Sequence, residues 1–169
     1  MAADPDFEEF IRDYQDMVYT LAARLLGDRA EAQDMAQEAF LKAYERFDSI
    51  KDSPSKGGWL KTVTTNLCLN HLSRHRARWR LFSEVAEDEA GIDALAGPEK
   101  ASPDSQGHAD LELALAALPD HQRVPLVLFH FEDLSYEEIA SQLGAPLSKV
   151  KSDIFRGRGV LRKSLEAAS

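Results

Sequence analysis

One cysteine, Cys68, stands in 169 residues, which excludes an intramolecular disulfide framework and suits a reducing compartment. No apolar run approaches the roughly 18 residues a membrane helix needs, and the start carries no secretory pattern. A soluble, cytoplasmic protein without direct membrane insertion is therefore expected. Strand-like alternation is missing throughout. So are a Gly-rich phosphate loop, a nucleophile elbow and the paired histidines of metalloproteases, so no catalytic residue and no cofactor is expected. Cys68, His71 and His75 share one helical face, but a metal needs a fourth ligand and nothing nearby supplies one. They read as incidental helix positions.

What is present is helical periodicity. Phe7, Phe10, Ile11, Tyr14, Val18, Leu21, Ala22 and Leu25 form an apolar stripe that ends at Gly27-Asp28. A second helix over about 30–47 turns Met35, Ala36, Ala39, Phe40, Ala43 and Phe47 inward. Residues 52–58 read as a loop, and a third helix over about 58–78 has Trp59, Leu60, Val63 and Leu67 on its core side. Leu69 and Leu72 widen its apolar surface, so burial on more than one side is expected. Residues 81–108 are acidic and rich in Ala, Gly, Pro and Ser, the composition of a flexible linker. Helix resumes near Ala109 with Leu111, Leu113, Leu115 and Leu118, breaks at Pro119-Asp120, and continues to about Phe131 with a local kink at Pro125. The fold class is all-α: two small helical domains, 1–80 and 109–169, joined by the 81–108 linker.

Between Leu134 and Arg158 lies a helix-turn-helix pattern. Ser135 followed by Glu138 is a capping box, Gly144 suits the left-handed residue that closes a helix, and Pro146 fits the first turn of the next. On that next helix Leu147, Val150, Ile154 and Leu161 share a side, with Gly157 between them. Lys149, Ser152, Phe155 and Arg156 point away, and Lys151 and Asp153 lie on the flanks. Such a pair can place its second helix in the major groove of DNA. A solvated amphipathic helix with a cationic C-terminal half is the alternative.

The net charge of −9 argues against nucleic acid, but its distribution does not. Residues 1–50 sum to −7, 51–80 to +6, 81–110 to −7 and 111–169 to −1. Two basic islands, Lys51–Arg80 and Lys149–Lys163, sit in an acidic chain. Counterion release from so few cations is small, so binding to free duplex is expected to be weak unless a larger partner holds the chain there. On the second helix Asp34, Gln37, Glu38, Leu41 and Glu45 make an outward stripe, either a solvated face or a docking face for a basic partner helix. On the third, Asn66, Asn70, Arg74, Arg76, Arg78 and Arg80 can hold a nucleic-acid strand, amides on base edges and guanidiniums on phosphates. The alternative is a solvated helix end. Trp59 reads as core.

The order of Asp34-Met-Ala-Gln-Glu-Ala-Phe-Leu-Lys-Ala-Tyr44, Trp59-Leu-Lys-Thr-Val-Thr-Thr-Asn66 and the helix-turn-helix resembles the extracytoplasmic-function (ECF) sigma factors of bacterial RNA polymerase. The similarity spans nearly the whole chain outside the linker. It implies a promoter-specificity subunit in which Asp34, Gln37, Glu38 and Leu41 dock on the coiled coil of the polymerase β′ clamp. It further implies −10 DNA binding by Asn66, with Asn70, Arg74, Arg76 and Lys56 of the loop before Trp59. The −35 reading surface would be Lys149, Lys151, Ser152, Phe155, Arg156 and Arg158. The linker would thread toward the polymerase cleft, and an anti-sigma factor would hold the protein inactive. Asp153, Gly157 and Pro125 depart from the family's usual residues. A sigma-like decoy that sequesters an anti-sigma factor, and an ordinary helix-turn-helix repressor, are the competing readings.

Overall fold

The computed structural model describes residues 5–75 and 106–168. They divide into two units, the break falling after His75. The N-terminal unit contains α1 (Pro5–Leu26), α2 (Arg29–Glu45), α3 (Phe47–Ile50) and α4 (Lys56–His75); the C-terminal unit contains α5 (Gln106–Ala117), α6 (Asp120–His130), α7 (Tyr136–Leu143) and α8 (Leu147–Ala168). No strand occurs among the described residues. Nor is any described helix long and apolar enough to cross a membrane.

Within the N-terminal unit, α1 opens on Pro5 with Asp6 and Glu8 in its first turn, where a missing N–H costs little and carboxylates face the positive end of the helix dipole. Asp28 then caps α2, its Oδ1 accepting the Glu31 N–H at 2.9 Å. The fully buried residues of α2 are small: Ala32, Ala39 and Ala43. They let α1 and α4 lie close along it. Phe47 fills the remaining space edge to face against Phe7 and Phe10, with Phe7 and Phe47 centroids 5.1 Å apart, and Phe7 and Phe10 stack on each other. Each such ring contributes roughly 1.5–3 kcal/mol through burial.

The second helix ends earlier than its apolar pattern suggests. Arg46 leaves helical geometry (φ −116°, ψ 15°), and Phe47 and Ile50 reach the core from α3 instead. By contrast α4 begins earlier, at Lys56, so the two glycines expected in a loop belong to its first turn. Close packing explains this. A Cβ on Gly57 would lie 3.1 Å from Cε1 of Tyr14 on α1. As expected, α4 buries Leu60 and Leu72 as well as Cys68, and it packs on both α1 and α2.

In the C-terminal unit α5 starts at Gln106, so the last three residues of the expected linker are helical. The rest of that linker lies outside the described residues. Helix α6 runs through Pro125 as one element, with every residue from His121 to Leu128 buried. That enclosure offsets the single hydrogen bond a second-turn proline removes. The capping box on α7 is present: Ser135 Oγ accepts the Glu138 N–H at 3.0 Å, and Glu138 Oε1 accepts the Ser135 N–H at 2.9 Å. Gly144 closes α7 at φ 63°, a left-handed conformation in which a Cβ would clash.

Gly157 is where α8 crosses α6. A Cβ there would stand 3.2 Å from Leu126 Cδ1, 3.3 Å from Gln122 Cβ and 3.4 Å from the Gln122 carbonyl oxygen. The departure from alanine thus falls at a close approach of two helices. Gly159, two residues on, faces open space. Gly159→Ala should therefore raise stability by about 1 kcal/mol through helix propensity. Gly157→Ala should lower it by about 1 kcal/mol, overpacking outweighing the same propensity gain. Thermal unfolding of the two variants checks this; equal gains would show that the helix crossing has slack.

Candidate functional site

The outward stripe of α2 is as the sequence spaces it. Asp34, Gln37, Glu38 and Leu41 are all exposed, and Leu41 retains 62% of its surface. Tyr44, one turn on and 55% exposed, leans edge-on against Phe7. The structure adds what the sequence does not show. Beside the stripe, α1 and α2 enclose an open groove of about 1130 Å³ lined by Phe7, Ile11, Tyr19, Phe40, Leu41 and Tyr44, with Glu8 and Asp16 among its polar residues. Gln37 and Leu41 belong to both groove and stripe. Apolar floor and carboxylate margin together suit an amphipathic helix with basic flanks.

On α4, Asn66, Asn70 and Arg74 are exposed at four-residue spacing, which puts them on one ridge of the helix. Trp59 is half-buried against the core, and Lys56 is the first helical residue, its Nζ donating to the Lys51 carbonyl at 3.1 Å. Lys56 is thus a helix-start residue rather than a loop residue. Arg76, Arg78 and Arg80 lie outside the described residues. On the opposite side, Cys68 is buried and its thiol is pushed up to about 12 by burial. His71 Nε2 lies 3.0 Å from Glu31 Oε1 on α2. Among the described residues no cluster could hold a metal ion.

The outer face of α8 presents Lys151, Phe155, Arg156, Arg162 and Lys163 to solvent, with Ser152 half-buried among them. Phe155 keeps 75% of its surface exposed, the largest of the exposed apolar side chains. Lys151 Nζ stands 5.7 Å over the ring of Tyr136.

Three residues of this helix are placed otherwise than expected. Asp153 is no flank residue: it is 4% exposed, and Lys149 turns to it, Nζ to Oδ2 at 3.2 Å. The spacing of four on one helix makes the pair, and it draws Lys149 away from the outer face. Arg158 reaches back across the unit, its Nη2 3.0 Å from His130 Nε2 on α6. The sequence held the signal for the first pair, a Lys and an Asp four residues apart. It held none for the second, since His130 and Arg158 meet only through the fold.

Beneath the outer face lies a polar layer. His121 and Gln122 are buried with Asp153, and His121 Nε2, Gln122 Oε1 and Asp153 Oδ1 are enclosed without a hydrogen-bond partner. Burial, then the Lys149 cation, pushes His121 down to about 4, with Asp120 opposing. Burial raises Asp153 above the ordinary carboxylate range, while Lys149 pulls it back. His130 is lowered by burial and by Arg158.

Known proteins resemble both units. The Sigma-70 region 2 family matches residues 10–78, and the Sigma-70 region 4 family matches residues 108–161. The ECF RNA polymerase sigma factor SigE of Mycolicibacterium smegmatis is 40% identical over 165 residues, covering 97% of this chain; the chain spans 63% of that relative's length. SigW of Bacillus subtilis, also an ECF RNA polymerase sigma factor, is 34% identical, with 94% of this chain and 88% of the relative covered. The RNA polymerase sigma-H factor of Pseudomonas aeruginosa is 33% identical, covering 95% and 86%. Among solved structures, the sigma factor RpoE of Bartonella quintana, crystallised with the anti-sigma factor NepR, covers 96% of this chain and 98% of its own. It aligns with a TM-score of 0.56 at 23% identity, a likeness of fold.

The polar layer gives the C-terminal unit an acid limb. An unfolded chain takes up the His121 proton near pH 6.5, whereas the folded chain refuses it until about pH 4. The stability at stake is complete above pH 6.5 and drains as pH falls from there toward 4. Asp153, raised in the folded state, works the other way and returns part of it at the acid end. His121→Leu should flatten the fall in unfolding midpoint across that interval. A variant that loses midpoint as steeply as the parent would exclude the imidazole as its source.

Proposed function

The chain belongs to the extracytoplasmic-function sigma factors of bacterial RNA polymerase, and on that premise we propose how it divides the work of initiation. The N-terminal unit docks on core polymerase through Asp34, Gln37, Glu38 and Leu41 and captures the −10 strand with the exposed ridge of Asn66, Asn70 and Arg74. The C-terminal unit reads the −35 element through Lys151, Ser152, Phe155 and Arg156, with Arg162 and Lys163 extending the cationic face. Lys149 and Arg158 support that face from within the unit. No covalent chemistry is required of the protein: it positions polymerase, in the cytoplasm, and stabilises an opened strand.

The observation that carries this reading is the pairing of two family matches, in order, with two outward faces of opposite character. An acidic, leucine-bearing face sits in the region 2 match, and a basic, aromatic face sits in the region 4 match. The charge map fits the division. A chain of net charge −9 has too few exposed cations to hold duplex DNA alone, so specificity depends on being tethered to polymerase. An anti-sigma factor is the second partner proposed, and the α1–α2 groove that shares Gln37 and Leu41 with the docking stripe is the surface it would cover.

The reading makes separable predictions. Leu41→Ala should weaken binding to core polymerase by about 5- to 30-fold, the loss typical of a central apolar anchor. Asn66→Ala and Arg156→Ala should leave polymerase binding intact while lowering transcription from a cognate promoter. The Asn66 defect should disappear on a template whose −10 region is already unpaired, and the Arg156 defect should persist there. Wild-type chain that fails to bind core polymerase at micromolar concentration would sink the reading. Wild-type activity of both variants on a paired template would sink the site assignment.

A further inference from the structure

We propose that Tyr136 is a positioning residue for promoter recognition: its ring, backed by Phe129, holds the Lys151 ammonium at the outer face of α8. The proposal rests on the reading of α8 as the −35 surface and names a group on another helix that tunes it.

Three helices converge at this point. Tyr136 is the first residue of α7, directly after the Ser135 cap, so its backbone is fixed by the capping box. Its ring lies parallel to that of Phe129 on α6, at a centroid distance of 4.6 Å and an angle of 6°. Lys151 of α8 then places its Nζ 5.7 Å from the Tyr136 centroid, inside the range of a cation–π contact. The residues one turn away from Lys151 on α8 are Leu147, Ser148, Ile154 and Phe155, none of them acidic. Asp153, the carboxylate of this segment, is engaged by Lys149. An aromatic face, rather than a carboxylate, therefore holds Lys151.

The choice of partner has a consequence for DNA binding. A carboxylate would neutralise the lysine and compete with phosphate for it. An aromatic ring restricts the long side chain yet leaves its charge and its three donors available. Part of the ordering cost of gripping the backbone is thereby met before DNA arrives. Tyr136 itself, half-buried in its stack, is assigned no contact with a base.

The test is a double-mutant cycle in the complex of full chain and core polymerase. The probe is a duplex selected from a random-sequence pool by the wild-type complex. Tyr136→Phe keeps the ring and should bind as wild type does. Tyr136→Leu should weaken binding about 2- to 5-fold, the strength of an exposed cation–π contact. In a Lys151→Ala background the same Tyr136→Leu change should have no further effect. In the free chain, ring-current shifts on the Lys151 side-chain protons should vanish in Tyr136→Leu and remain in Tyr136→Phe. A loss in Tyr136→Leu that persists undiminished without Lys151 would overturn the positioning role, as would wild-type binding by Tyr136→Leu. Absence of a polymerase complex with the wild-type chain would instead remove the sigma reading, and this role with it.

Discussion

Close approach of helices through small residues is the constraint on which the rest of the molecule depends. In the N-terminal unit Ala32, Ala39 and Ala43 form the fully buried surface of α2, and Gly57 lets the start of α4 settle against Tyr14. In the C-terminal unit Gly157 does the same where α8 meets α6. Each unit is small, with little volume in which to hide large side chains. Where the inner face of a helix is filled by alanine or glycine, its bulky residues are left for the outer face. Leu41, Tyr44 and Phe155 are exposed on the outer faces, and each lies where the proposed partners would meet the chain.

The apolar periodicity of the sequence carries the helices, their order and the split into two units, because burial of one stripe per helix is a strictly local code. It carries the α2 stripe equally well, since residues at 34, 37, 38 and 41 share a face on any regular helix. Helix ends are less legible. The core stripe runs on from Ala43 to Phe47, but Arg46 breaks the geometry, so one stripe serves two helices. The Gly57-Gly58 pair has loop composition, and only its contact with Tyr14 reveals a helical turn. Asp153 shows the other limit. Helical spacing assigns a direction to a side chain, but the depth of the neighbouring helices decides whether that direction is wet or dry. The α1–α2 groove and the Phe129–Tyr136–Lys151 stack need atoms from more than one helix, and no single stretch of sequence encodes them.

Electrostatics is arranged in two depths in the C-terminal unit. At the surface, cations face solvent and can release counterions from DNA. Underneath, an enclosed carboxylate, an imidazole kept neutral and an unpaired amide oxygen sit together. Such a layer is costly compared with an apolar one. It is also directional, because the Arg158–His130 contact ties α8 to α6, while the Lys149–Asp153 pair fixes the buried carboxylate within α8. Helix α8 is therefore held by a polar contact as well as by the fit at Gly157.

Cys68 sits in the middle of α4, fully enclosed, with its thiol proton held to about pH 12. The species that attacks peroxides and disulfides is the thiolate, and burial disfavours it here. No other cysteine exists in the sequence. Its single thiol is therefore poorly placed to register an oxidant. An oxidant that reaches the folded N-terminal unit meets Cys68 as an enclosed thiol rather than as an accessible thiolate.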